Sequence, residues 1–202
     1  MKLPRSLLTL FTALALPLST ASAVNWNELI DGDISDDGDF PTFIDFSDEH
    51  NLIEGTMGFD GVNLDRDIWT FTIQPGYQLT AINLVTYSAP ASGIESFMAL
   101  AGGTSIDLGD PSLHLSNGLW TEQLDGLGNT FTPLLDILDA GPQFGGLGFD
   151  GPLGPGEYTF WIQETTDQIQ YCIDFVVVPI PEPGSALLLG AASLLCLQRR
   201  RK

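Results

Sequence analysis

The chain has 202 residues, of which seven are Lys or Arg and 26 are Asp or Glu, for a net charge of −19. So few cations cannot release the counterions of a phosphate backbone, which excludes a nucleic-acid-binding role, and the same field repels anionic lipid. It suits either Ca²⁺ and cationic polymers as partners or the plain solubility of an exported protein.

Residues 1 to 23 combine Lys2 and Arg5, an apolar stretch from Leu7 to Leu18 and the small triplet Ala21-Ser22-Ala23. That order predicts a secretory signal peptide cleaved between Ala23 and Val24. The segment that follows, 24 to 178, is long enough for one domain with its own core. Between Val24 and Ile180 only Arg66 is basic while 25 of the 26 acidic residues are present, so this region carries −24. Cys172 is its single cysteine, which excludes an internal disulfide and fits a small buried hydrophobe.

Asn25 to Thr42 is acidic and glycine-punctuated, with Asp31, Asp33, Asp36, Asp37 and Asp39. Closely spaced carboxylates are what a hard cation requires, so this loop is the candidate metal site and Ca²⁺ the only candidate cofactor; the competing reading is a solvated acidic loop. An EF-hand does not fit, because counting from Asp33 places Ile44 where the twelfth-position Glu belongs.

Strands dominate the rest. Phe43 to Phe46 predicts a short strand, and Asp45 to Gly61 a second one among glycine turns. Trp69, Phe71 and Ile73 alternate with polar residues over 67–74, the period of a half-buried strand. After a Pro75-Gly76 turn, Tyr77 to Tyr87 predicts another, whose apolar parity changes near Ala81 and implies a bulge. Glu95 to Leu100 and Ser105 to Leu108 read as further strands. Thr132 as N-cap with Pro133 at the first helical position predicts one short helix to Leu138. Gly141 to Gly154 is a loop without a phosphate-binding Lys-Ser or Lys-Thr pair. Tyr158 to Gln163 and Tyr171 to Val177 alternate on either side of a turn at 165–168 and predict a closing hairpin. Together these elements predict an all-β fold, a β-sandwich or jelly roll with one short helix.

The run Asp65-Arg66-Asp67 into Ile68-Trp69-Thr70-Phe71, then Pro75-Gly76-Tyr77-Gln78-Leu79, and late in the chain Gly154-Pro155-Gly156-Glu157-Tyr158-Thr159-Phe160, resembles the bacterial pre-peptidase C-terminal β-sandwich domain. The resemblance spans about 28 to 178 and implies a non-catalytic accessory module.

The final 24 residues contain Pro181-Glu182-Pro183, an apolar run from Ser185 to Leu197 and the cluster Arg199, Arg200, Arg201 and Lys202. Both prolines impose extended geometry around Glu182. The run predicts a C-terminal hydrophobic helix of roughly 20 Å, a marginal membrane span that flanking cations extend and orient with its end in the cytoplasm. The three parts in this order resemble the PEP-CTERM sorting signal. That resemblance implies recognition of Pro181, Glu182 and Pro183 by an exosortase, a membrane-embedded protease, after transient anchoring of the precursor in the inner membrane, and release to the cell surface or exterior.

No H-E-x-x-H or G-x-S-x-G motif occurs, and the two histidines stand apart, so an enzyme is not expected. The expectation is an exported surface or matrix protein linked to exopolysaccharide or biofilm. The alternatives are a calcium-dependent carbohydrate-binding module using Trp120, Trp161 or Phe149 as sugar platforms and, last, a secreted glycoside-active enzyme.

Overall fold

A computed structural model describes residues 24–90, 93–124 and 132–181. The predicted signal peptide and C-terminal hydrophobic helix lie outside these residues. Among the described residues no helix is long and apolar enough to cross a membrane.

β1 (Val24–Asn27) runs into one turn of helix, α1 (Glu28–Asp31), and the acidic loop then leads to the two-residue β2 (Thr42–Phe43). β3 (His50–Phe59) and β4 (Leu64–Ile73) form a hairpin, and β5 (Tyr77–Ser88) follows the tight Pro75-Gly76 turn, where Tyr77 N–H donates to the Gln74 carbonyl and Gly76 has φ +87°. β6 (Ser96–Gly102), β7 (Ser116–Trp120), β8 (Thr132–Pro133), α2 (Leu134–Asp139), β9 (Gly156–Gln163) and β10 (Gln168–Pro179) complete the chain.

The strands join in the order β7-β6-β9-β4-β3-β10-β5-β8, with β1 added on β3 and β2 on β4. The link between β4 and β3 is only two residue pairs long, Gly58 with Asp65 and Phe59 with Leu64. Beyond that corner the strands diverge, so the sheet folds into two facing layers. The all-β prediction therefore holds, and the layers close on a shared core.

Parity explains the core. Trp69, Phe71 and Ile73 of β4, Phe160 and Ile162 of β9, and Ile173, Phe175 and Val177 of β10 are all buried in one cluster. Phe175 sits at its centre, with ring centroids 5.1 to 5.9 Å from Phe46, Trp69, Phe71 and Phe160. A smaller cluster on the outer side of one layer joins Ile68, Ala99, Ala101, Ile106 and Trp161.

Four sequence expectations change. The closing hairpin is not a paired hairpin: β9 bonds β4 and β6, whereas β10 bonds β3 and β5. The chain crosses between layers at Glu164, whose buried carboxylate accepts from the Thr165 and Thr166 amides and the Ser96 hydroxyl. Alternation reports that each strand has one core face and is silent on its neighbour. Ser105 to Leu108 is irregular, because Asp107 Oδ1 accepts from the Gly109 and Asp110 amides and forms a turn. The helix starts later than predicted, at Leu134, since Thr132 and Pro133 pair with β5 and the Thr132 hydroxyl bonds Thr121 and Gln123 instead of capping. Gly55 and Gly58 lie inside β3 and not in turns. The bulge is where parity placed it, with Thr80 skipped between Leu79 and Ala81 opposite β10.

Candidate functional site

The acidic N-terminal segment is folded onto the mouth where β3 and β4 diverge. β1 lies parallel to β3, and the Asn25 side-chain amide donates to the Asp45 carbonyl and Asn51 Oδ1 while its Oδ1 accepts from Leu52 N–H. Asn27 caps α1 by accepting from Leu29 N–H, and Asp31 Oδ2 accepts from Asn27 N–H at 2.8 Å. This local closure aims Glu28 at the sheet.

Glu28 Oε2 accepts from Thr56 N–H at 2.7 Å and from the Thr56 hydroxyl at 3.3 Å, and its Oε1 accepts from Ile34 N–H at 3.1 Å. It can approach β3 this closely because residue 55 is glycine. A Cβ there would stand 2.7 Å from Tyr171 Oη and 2.8 Å from Glu28 Cδ. Asp67 comes from β4 just past the corner, where the strand has left β3 and pairs with β9 opposite Ile162. It is 0% exposed. The Tyr171 hydroxyl donates to Asp67 Oδ2 at 2.5 Å, whereas Asp67 Oδ1 has no hydrogen-bond partner. Exposed Asp33 completes the group, with one oxygen of each of the three carboxylates lying within 4.8 Å of the others.

The electrostatics follow from crowding without compensation. Burial, then the charge of Glu28, pushes the Asp67 carboxyl well above the usual carboxylate range against the lowering effect of the Tyr171 bond. Burial, then Asp33, Asp36 and Glu28, pushes Asp65 up to about 7. Glu28 is raised chiefly by burial, opposed by its bonds from Thr56 and Ile34. Tyr171 is driven well up by burial and by Asp67 and Glu28. Arg66, the one cation of 24–180, projects to the opposite face of β4, where its Nε donates to Gln163 Oε1. Beside the cluster opens a cavity of about 590 Å³, lined by Glu28, Asp33, Thr56, Gln170, Tyr171 and Cys172 among others.

A pH dependence follows. A carboxyl whose pKa is higher folded than unfolded binds its proton more tightly in the native state, so stability is greatest below the unfolded value and is lost as pH rises through the folded one. In EDTA, unfolding free energy is therefore expected to fall between pH 5 and pH 7.5, with half-exposed Asp65 contributing about 1 kcal/mol after solvent screening. Urea titrations at the two pH values check this. A flat or rising profile, or an Asp65→Asn variant with an unchanged slope, would contradict it.

The predicted loop ligands are dispersed. Asp36 Oδ1 accepts from Arg66 N–H, Asp37 Oδ1 accepts from Asp39 N–H, Asp31 closes α1, and Asp39 is exposed. Of the five, Asp33 is the one brought together with Glu28 and Asp67. The two partners had a readable sign in one case: Asp67 shares the inward parity of Trp69, Phe71 and Ile73, and an inward carboxylate in a strand asks for a partner. Glu28 had no such sign, because its position depends on the fold-back of β1.

Other candidates settle as structural groups. Trp120 and Trp161 are 2% and 6% exposed and Phe149 packs on the main core, so none presents a free sugar platform. His114 is buried, with its ring nitrogens against the Asp107 carbonyl and the Asn117 side chain. Burial pushes the Cys172 thiol up to about 12, far from a reactive thiolate.

Of the processing residues, Val24 opens β1 and is exposed, and Pro181 is exposed directly after Ile180, whose N–H donates to the Gly76 carbonyl at 2.8 Å. Ala23, Glu182, Pro183, Arg199, Arg200, Arg201 and Lys202 lie outside the described residues. No curated protein matches the chain. Residues 179–202 match the PEP-CTERM protein-sorting motif, so this is an exported chain that ends in the signal for processing by exosortase, a membrane protein.

Proposed function

We propose that the chain is a cell-surface or extracellular-matrix component, released by exosortase, whose acidic β-sandwich is non-catalytic and works alongside exopolysaccharide. The observation that carries this reading is the abutment of motif and fold. β10 ends at Pro179, Ile180 is still bonded to Gly76, and the matched motif begins at residue 179. A cut at or after Pro181-Glu182-Pro183 frees a domain with every strand of the described residues in place and removes Arg199 to Lys202. The non-catalytic part is supported by the roles of His114 and Cys172 above.

Intact-mass analysis of the exported protein tests it. The expected species starts at Val24 and lacks the apolar run and basic cluster. Finding the four C-terminal cations on all of the exported protein would remove the processing step.

A further inference from the structure

We propose that Glu28, Asp33 and Asp67 form a Ca²⁺ site that pins the segment from Asn27 to Ile34 across the mouth between the two layers. This goes beyond the sorting reading and stands independently of it. An acidic cluster alone would be unremarkable on a chain this acidic. What distinguishes this one is Asp67, fully buried, with Oδ1 lacking any partner while Oδ2 is held by Tyr171. A buried carboxylate oxygen without a donor is costly, and Arg66, turned to Gln163 on the opposite face of β4, does not compensate it.

The donor set selects the ion. Three carboxylates with no imidazole or thiolate favour a hard cation over zinc or copper. Oxygens that all lie within 4.8 Å of one another fit inside a Ca²⁺ coordination sphere, with bonds of roughly 2.3 to 2.6 Å, and Ca²⁺ accepts the irregular ligand geometry that Mg²⁺, with its near-ideal octahedron, does not. Existing contacts already orient the ligands. Thr56 and Ile34 amides hold Glu28, Tyr171 holds Asp67, and Gly55 leaves room for both. Exposed Asp33 and the adjoining cavity admit the ion and the waters that fill its remaining positions. The three ligands come from α1, the acidic loop and β4, so binding ties the N-terminal segment to the corner of the sandwich.

The test uses the full chain in detergent, stripped with EDTA and melted with and without CaCl₂. At a Ca²⁺ concentration one hundred times its dissociation constant the midpoint is expected to rise by about 5 to 10 °C. Asp67→Asn and Glu28→Gln are each expected to abolish the rise. In EDTA the Asp67→Asn protein should melt no lower than wild type, because it loses a buried uncompensated acid, and a merely structural Asp67 would not behave so. The double variant Asp37→Asn, Asp39→Asn should keep the full rise. The proposal is overturned by an unchanged wild-type midpoint, by an equal rise in the Asp67 and Glu28 variants, which would mean diffuse binding to an acidic surface, or by loss of the rise in the Asp37, Asp39 variant.

Discussion

Replacing Phe175 by alanine is expected to destabilise the domain by about 4 kcal/mol, the range found for emptying a fully buried phenylalanine site. Phe175 is 0% exposed on β10 and is the ring that touches both layers, meeting Trp69 and Phe71 of β4 and Phe160 of β9 across the core. Its contacts are tilted or edge-on, the arrangements that add attraction beyond area burial. Trp69, Phe71 and Phe160 cannot collapse into the gap, because each is anchored on a hydrogen-bonded strand. For a domain of this size the melting midpoint should drop by about 10 °C. Exposed Phe40 is the internal control, and Phe40→Ala should leave the midpoint almost unchanged. Urea denaturation of both variants decides the matter: a Phe175→Ala cost under about 1.5 kcal/mol would mean that the layers are not held by this ring.

Gly58→Ala should be nearly as damaging, for a different reason. Gly58 lies in β3 at φ +117°, paired both with Asp65 of β4 and with Gln168 of β10. A Cβ at this position would fall 2.0 Å from the Asp167 carbonyl oxygen, a backbone atom that already accepts from Phe59 N–H. Backbone cannot turn away as a side chain can, so the corner joining the two layers must open. The expected loss is about 2 to 4 kcal/mol. Gly61 separates the two contributions: its φ is +96° but nothing lies within 4 Å of its Cβ position, so Gly61→Ala should cost only the conformational part, about 1 kcal/mol. Equal losses in the two variants, measured by denaturant unfolding, would show that the clash at Asp167 contributes nothing. Because Asp65 and Asp67 hang from the same corner, Gly58→Ala should also weaken the response to Ca²⁺.

The body and the tail are electrically opposite. The chain from 24 to 180 carries −24, and the motif ends in four cations. Removal of the tail leaves an acidic domain in which Glu28, Asp33, Asp65 and Asp67 crowd where the N-terminal segment meets the sheet. On the reading proposed above, Ca²⁺ outside the cell would neutralise part of that charge and fasten the segment once the protein arrives.

Alternation at Trp69, Phe71 and Ile73, the Pro75-Gly76 turn and the parity change beside Ala81 were legible because each is a local property of the chain: which face a residue takes, or which φ a glycine permits. The sorting tail was legible for the same reason, being a linear motif read by another protein. Pairing was not local. The segments of β9 and β10 read as a hairpin, yet Glu164 carries the chain from one layer to the other, and only packing decides which edge a strand joins. The acidic loop shows the same division. Composition placed a cation site near Asp31 to Asp39, but backbone amides of Arg66, Asn27 and Asp39 occupy Asp36, Asp31 and Asp37. Fold-back of β1 and divergence of β4 from β3 brought Asp33 instead to Glu28 and to buried Asp67, residues 34 positions away in sequence at the farthest from Asp33. Sequence alone determined the all-β class, the charge and the sorting signal of this protein; the meeting of three carboxylates was decided by tertiary structure, because groups on separate layers meet only once the layers have closed.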